Sequence, residues 1–354
     1  MTAIEYVCYT NLSGYGTAAK NTIKALLHDG SYDIRLCSLN LDFGREASEA
    51  DGILYEKLIQ AKSDPNRIQI FHCIPDLQRR FRRCIKTIGV AVYETMEPPA
   101  HWVAILNKND AVIVPSEFNR QIFLNAGVSK PIFYIPHCID MDVFTPNAVP
   151  IHSYDRFTFL YFGAWRWRKG YKEMLNAWET FKQNDPVQLI IKTDRSSDAK
   201  AYLRHIPKGL APVIVDEQRY SDSEIPGMIR SADCMICPTR GEGFGLPPLQ
   251  SMAVGVPVIV TNATGCSEYA NPETATLLEP EGTEFVKCLD GIPQFSKKKW
   301  ITISSKQIAN SMRYAFAHRQ EIQEKADNAV KYVSTKFGYN TLSELFGRML
   351  SDVT

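Results

Sequence analysis

Two short stretches carry residue types whose spacing suits chemistry. One is Arg240-Gly241-Glu242-Gly243-Phe244-Gly245-Leu246-Pro247-Pro248-Leu249-Gln250. It sets an acid, Glu242, in a glycine-rich turn that leads into a helix start, and places an amide, Gln250, further along. Pro247 and Pro248 suit a first helical turn, where a missing N–H costs nothing. The backbone amides of Gly243, Phe244, Gly245 and Leu246 would then face out of the helix N-terminus. With the helix dipole they would form a site for a phosphate-like anion. Glycine lets a ligand come close to the backbone there. A plain strand-to-helix connector needs neither this density of glycine and proline nor an acid in that place.

The other stretch is Phe162-Gly163-Ala164-Trp165-Arg166-Trp167-Arg168-Lys169-Gly170-Tyr171. Arg166 and Lys169 put fixed positive charge into a glycine-bounded loop, which is what a diphosphate requires. The same groups would stabilise negative charge developing on a departing phosphate. For the loop alone, the lesser alternative is a solvated basic turn. Paired with an anion-binding helix start, it reads as the other half of one site.

Weaker signals lie in the N-terminal half. Ser13-Gly14-Tyr15-Gly16 follows an apolar run and reads either as a tight turn or as a loop lining a ligand cleft; the full GxGxxG pattern is absent. Glu94, in Tyr93-Glu94-Thr95-Met96-Glu97, stands at a strand end, where a carboxylate can position an acceptor hydroxyl. Asp140-Met141-Asp142 has the form of a divalent-metal tripeptide but no companion ligands nearby, and His72 and His137 are too isolated in sequence for zinc, so no metal site is assigned. The stretch from Leu77 to Lys86 is dense in arginine with apolar residues at helical spacing. It reads as a solvated helix face or as a peripheral contact with anionic lipid.

These residues must be held by something, and the pattern around them says what. Apolar strands at Tyr6-Val7-Cys8-Tyr9, Ile34–Leu39, Ile68–His72, Ile88–Val92, Ala111–Val114 and Ile132–Ile135 alternate with helical stretches, among them one capped by Thr17 and running to His28. Such alternation predicts a parallel sheet buried on both faces. Val149-Pro150-Ile151-His152-Ser153 reads as a linker, after which the pattern restarts at Thr158–Gly163. Glu173–Gln183 predicts a helix with Met174, Ala177, Trp178 and Phe181 on one stripe, and the tail is helical over about 306–335 and 342–351. The expectation is two doubly wound Rossmann-like domains, 1–150 and 151–335, with 336–354 a terminal helix, facing a cleft that holds the ligand.

Bulk composition narrows the function. The chain has 354 residues, of which 45% are hydrophobic and 22% charged, enough core for two domains. A net charge of +1 gives no electrostatic case for nucleic acid. No apolar run approaches the ~20 residues of a membrane span, and the N-terminus lacks a secretory pattern. The nine cysteines are dispersed without paired spacing, which fits reduced thiols in a cytoplasmic protein.

Taken jointly, these motifs resemble the retaining, Leloir-type glycosyltransferases of the GT-B fold, family 4, also called group 1. Glu242-Gly-Phe-Gly-Leu-Pro-Pro-Leu-Gln250 is similar to that family's E-G-F-G-L-P-x-x-E element, and Trp165–Gly170 to its basic phosphate loop. Ala111–Asn119 and Ile135–Phe144 resemble its first-domain signatures. The resemblance implies a nucleotide-diphosphate-sugar donor held by the second domain and transfer with retention, without an obligatory metal or other cofactor. Arg166 and Lys169 would hold the diphosphate, with Glu242 near the sugar. The Gly243–Leu246 backbone would face sugar and phosphate, and position 250 the ribose hydroxyls. The acceptor, a glycan or a lipid-linked hydroxyl, would meet Ser13–Gly16 and Glu94. Three departures stand out. Gln250 replaces the family's usual Glu, Ala164 stands where the phosphate arginine often follows the glycine, and Val92-Tyr93-Glu94 occupies the strand end where a histidine is common. A sugar-nucleotide-binding protein without catalysis and a GT-B epimerase or phosphorylase are the alternatives.

Overall fold

A computed structural model of the chain describes residues 1–40, 49–81, 84–195, 198–287, 289 and 292–353. The chain divides into two compact units, 1–140 with 335–354, and 141–334. The first contains β1 (Thr2–Cys8), α1 (Gly14–Asp29), β2 (Tyr32–Ser38), α2 (Glu49–Ile59), β3 (Ile68–His72), α3 (Pro75–Gln78), β4 (Lys86–Val90), α4 (Ala100–Leu106), β5 (Ala111–Val114), α5 (Glu117–Asn125) and β6 (Ile132–Tyr134). Its six strands are all parallel in the order β2-β1-β3-β4-β5-β6. Every residue of β3 and β5 is buried, as a sheet covered on both faces requires.

The second unit contains β7 (Phe157–Phe162), α6 (Tyr171–Trp178), β8 (Val187–Lys192), α7 (Ala199–Leu203), β9 (Val213–Asp216), α8 (Ile225–Arg230), β10 (Cys234–Cys237), α9 (Leu246–Ala253), β11 (Val258–Thr261), β12 (Thr276–Leu278), the strands β13 (Gly282–Val286) and β14 (Lys298–Thr302), the helix α10 (Ser305–Ala317) and all but the last two residues of α11 (Arg319–Lys336). Six strands run parallel in the order β12-β11-β10-β7-β8-β9, while β13 and β14 form a separate antiparallel hairpin. The last helix, α12 (Tyr339–Val353), belongs to the first unit. Its Ser343 hydroxyl donates to the Ala25 carbonyl of α1 at 3.0 Å, and Phe346 meets Tyr32 edge to face.

Doubly wound sheets bind ligands beyond the carboxyl ends of strands at the point where strand order reverses. In the first unit that point lies between β1 and β3, and in the second between β7 and β10. The loops after those four strands are Tyr9–Ser13, Cys73–Ile74, 163–170 and 238–245. All the charged and glycine-rich motifs of the second half therefore sit at one topological switch point.

Several boundaries differ from the sequence expectation for identifiable reasons. α1 begins at Gly14 because the Ser13 hydroxyl, rather than that of Thr17, accepts the first-turn amide, from Gly16 at 3.2 Å. α6 stops at Trp178, although Met174, Ala177, Trp178 and Phe181 are all buried; Lys182 turns away to Asp185 through a 2.7 Å backbone-to-carboxylate bond. The tail breaks at His318, which leaves helical geometry and separates α10 from α11. Residues 141–150 fold with the second unit, where Ile151 donates to the Gly227 carbonyl and the Val149 carbonyl lies 2.5 Å from where a Gly227 Cβ would stand. Of the basic stretch 77–86, only Leu77 and Gln78 are helical, and Arg82 and Arg83 lie outside the described residues.

Candidate functional site

The loop after β7 is anchored first by an aromatic stack. Trp165 lies on Tyr171 with ring centroids 4.2 Å apart. A 3-10 turn, Trp167–Lys169, then ends at Gly170, whose φ of 73° is left-handed. A side chain there would collide with the loop after β10, since a Cβ on Gly170 would stand 1.8 Å from the Pro238 carbonyl oxygen. The two loops are bonded at that contact: the Arg240 amide donates to the Arg168 carbonyl at 2.7 Å.

This apposition aims the cations at one carboxylate. Lys169 Nζ lies 2.5 Å from Glu242 Oε1, and an Arg168 guanidinium nitrogen lies 3.2 Å from Oε2 and 3.1 Å from the Gly241 carbonyl. The Thr239 hydroxyl stands 3.0 Å from Glu242 Oε1. Burial pushes the Glu242 carboxyl up, but Lys169 and Arg168, with hydrogen bonds from Lys169 and Thr239, bring it down to about 2. The carboxylate is therefore ionised throughout the neutral range and holds both cations in fixed positions.

The segment after β11 supports the turn from the other side. The Glu242 amide donates to the Thr264 hydroxyl at 3.1 Å, and the Glu242 carbonyl accepts from the Gly265 amide at 2.8 Å. Thr264 has a φ of 55°, an unusual conformation for a β-branched residue. A Cβ on Gly265 would stand 2.3 Å from the Gly243 carbonyl carbon and 2.4 Å from the Phe244 nitrogen, so Gly265 covers that peptide. The Tyr269 hydroxyl donates to the Gly245 carbonyl at 2.7 Å.

The sequence-predicted residues distribute as follows. Lys169 and Glu242 are brought together. Arg166 is exposed, caps the 3-10 turn with its backbone, and makes no side-chain hydrogen bond or ion pair with a described residue; Arg168 takes the contact with Glu242 instead. Sequence reasoning passed over Arg168, which the fold distinguishes from Arg166 by placing it within the 3-10 turn rather than at its cap. Gly243, Phe244 and Gly245 precede α9, which starts at Leu246; the Phe244 ring is core, edge to face with Tyr269. Pro247 and Pro248 follow Leu246 and contribute no N–H, leaving Gly245 and Leu246 as the amides of the helix start. Gln250 lies one turn on and is buried. Thr239, Thr264 and Tyr269 join the site without a sequence signal of their own.

In the first unit, Ser13, Gly14, Tyr15 and Gly16 form the start of α1. A Cβ on Gly16 would stand 2.0 Å from the Asn11 carbonyl oxygen. The Tyr15 hydroxyl donates to the Val92 carbonyl at 3.2 Å, at the end of β4, and its phenol is raised by burial and by the nearby Glu94 charge. Asn119 grips Tyr93, accepting from its amide at 2.9 Å and donating to its carbonyl at 2.8 Å, which fixes the backbone leading to Glu94. Ser13–Gly16 and Glu94 thus meet at the carboxyl ends of β1 and β4. Beside them is a pair that sequence separation hid: His72 stacks on His137 with centroids 5.8 Å apart and interplanar angle 22°. The Tyr6 hydroxyl lies 2.7 Å from His72 Nδ1, while Nε2 is buried with no hydrogen-bond partner among the described residues. Burial lowers both imidazoles, His137 to about 4 and His72 well below its ordinary value, where the neighbouring His137 adds to the effect. Among the described residues no three His, Cys, Asp or Glu side chains are grouped to hold a metal ion, and no helix is long and apolar enough to cross a membrane.

Comparison with known proteins gives a family match inside the second unit and fold matches over the whole chain. Residues 156–292 match the family described as Glycosyl transferases group 1. A D-inositol 3-phosphate glycosyltransferase of Paenarthrobacter aurescens is 29% identical over 143 residues, which are 37% of this chain and 35% of that protein. The chain thus spans about a third of that relative's length. Sucrose-phosphate synthase from Thermosynechococcus elongatus superposes with a TM-score of 0.71 at 15% identity, covering 100% of this chain and 99% of that one. Anabaena HepE, in a crystal structure with UDP-glucose, gives 0.70 at 15% identity, covering 99% and 100%. These likenesses show the fold, which is of the GT-B class with two Rossmann-like domains.

Proposed function

We propose, for a chain whose residues 156–292 belong to the group 1 glycosyltransferases, that it moves a glycosyl group from a nucleotide-diphosphate-sugar to an acceptor hydroxyl with retention of configuration. One observation carries the reading: the cationic loop after β7 and the glycine turn after β10 meet through Lys169 and Glu242 at 2.5 Å, at a switch point. The UDP-glucose held by Anabaena HepE supports a sugar nucleotide as donor.

Each residue then has a task. Lys169 and Arg168 neutralise the diphosphate as it departs, and exposed Arg166 adds a third positive charge as the ligand enters. Glu242 keeps Lys169 in place without a ligand, so binding exchanges a carboxylate contact for a phosphate contact and needs little side-chain ordering. The amides of Gly245 and Leu246 face the sugar-phosphate, and the Gln250 amide both donates to and accepts from ribose hydroxyls. Acceptor recognition falls to Ser13–Gly16 and Glu94 of the first unit, with Glu94 orienting the attacking hydroxyl. The acceptor is a glycan or a lipid-linked hydroxyl; the cellobiosyl-diphosphopolyprenol in the name of a Xanthomonas campestris relative, 25% identical over 167 residues, supports that class.

The test is a screen of UDP- and GDP-sugars for consumption by the wild type and by Lys169→Ala. The expected loss in the variant is about 10²-fold or more, the size of one charge-stabilising donor. Equal turnover by the two proteins would reject the assigned role.

A further inference from the structure

Arg240 is a buried cation that the proposed reaction leaves unused. One guanidinium nitrogen bonds Glu284 on β13, and another bonds Glu173 on α6. The guanidinium carbon lies 4.2 Å from the centroid of the Trp167 ring, in the cationic loop. The backbone of Arg240 holds the same loop through the 2.7 Å bond to the Arg168 carbonyl. One side chain therefore touches the loop, the helix that follows it and the hairpin.

The hairpin reaches the loop twice more. Trp300 of β14 stands edge to face with Trp167 at 6.1 Å, and Phe295, between the two strands, lies 5.9 Å from the Arg168 guanidinium. Trp300 and Phe295 also pack on each other at 5.5 Å. β13 itself is largely exposed and, among the described residues, pairs with β14 alone. Its Glu284 is thus the polar tie between an otherwise exposed strand and the diphosphate loop.

We infer that the β13–β14 hairpin braces the cationic loop, with Arg240 as the positioning residue that couples them and so sets affinity for the phosphates of the donor. The inference rests on the diphosphate role proposed for Lys169 and Arg168. A planar guanidinium satisfies two carboxylates at its ends and a ring on its face, which an ammonium cannot do. With the brace intact, Trp167, Arg168 and Lys169 are held before the ligand arrives. Without it, they must be ordered on binding.

The experiment measures the affinity of UDP against uridine, and of GDP against guanosine, for the wild type, Glu284→Gln and Arg240→Lys by titration calorimetry. Glu284→Gln changes a half-exposed side chain and leaves Arg240 in place. It is expected to weaken the diphosphate by about fivefold, the size of one partly exposed ion pair, with the nucleoside unchanged. Arg240→Lys keeps the charge and is expected to lose about tenfold or more, because charge without the planar fork does not rescue the brace. Hydrogen exchange over 165–170 is expected to quicken in both. Parallel loss of nucleoside and diphosphate binding, or unchanged diphosphate binding, would overturn the inference alone. A wild type that binds neither diphosphate more tightly than its nucleoside would overturn the donor reading and this inference together.

Discussion

The two switch points are built from opposite materials. In the second unit, Arg168, Lys169 and Arg240 face Glu242, Glu173 and Glu284, and each cation has a carboxylate partner. In the first, Tyr6, Tyr15 and His137 pack around His72, and burial keeps both imidazoles neutral at pH 7. The charged point can exchange an internal carboxylate for a ligand's phosphate. The aromatic point instead presents uncharged rings, which suit a hydroxyl group. The same strand reversal thus yields one environment suited to a polyanion and another suited to a neutral hydroxyl compound. Under the proposed reaction, that division matches donor and acceptor.

Removing one carboxylate from each point breaks this comparison most sharply. Glu242→Ala strands Lys169 and Arg168 side by side in a mostly buried setting, and is expected to cost about 3 kcal/mol or more. Glu94→Ala should stay within about 0.5 kcal/mol, as for a partly exposed group outside the core. Urea unfolding of both variants reads the difference. Similar losses would show that the second unit's charges are no more interdependent than the first unit's.

Acid separates the points by a second route. Between pH 6.5 and about 4 the unfolded chain protonates His137 while the folded chain does not, so stability falls as pH falls through that window. His72 acts in the same direction. Glu242 behaves otherwise: its folded value of about 2 is depressed, so its contribution persists above the ordinary carboxylate range and disappears only as pH falls from there towards 2. His137→Phe keeps a ring on His72 and removes one titration. It is expected to recover up to about 3 kcal/mol of the stability lost between pH 7 and 4. Denaturant unfolding at pH 7, 5.5 and 4.5 measures it, and an unaltered slope would place the acid sensitivity elsewhere.

How far the sequence revealed each point follows from the same contrast. The charged site is legible because its parts are contiguous: glycine, proline and charge within 163–170 and 240–250 define turn, helix start and ligand class locally. The alternating apolar runs likewise identify two parallel-sheet domains, and the motifs' resemblance supplies the GT-B class. Arg168 was missed because it differs from Arg166 in its place on the backbone, inside the 3-10 turn rather than at its cap, and not in residue type. The aromatic point is assembled from Tyr6, Tyr15, His72 and His137, each bland in its own neighbourhood. The hairpin escaped notice because β13 is exposed almost throughout and carries no apolar run for periodicity to detect.

The smallest effect concerns how each point starts its helix. After β1 the start is held by a side chain, the Ser13 hydroxyl accepting from Gly16. After β10 no side chain caps the helix; Gly245 adopts a φ of 95° and its carbonyl is held by Tyr269. Ser13→Ala is therefore expected to cost about 1 kcal/mol, the usual worth of a hydroxyl cap. Gly14→Ala beside it should be nearly neutral, since a Cβ there meets nothing within 4 Å and φ is not positive. Gly245→Ala should cost more than either, about 2 kcal/mol, because it combines a left-handed backbone with a Cβ 2.7 Å from the Tyr269 hydroxyl. Thermal unfolding of the three variants orders them. If Ser13→Ala proves as costly as Gly245→Ala, the glycine turn is no more constrained than an ordinary cap, and its geometry no longer argues for a ligand held against bare backbone.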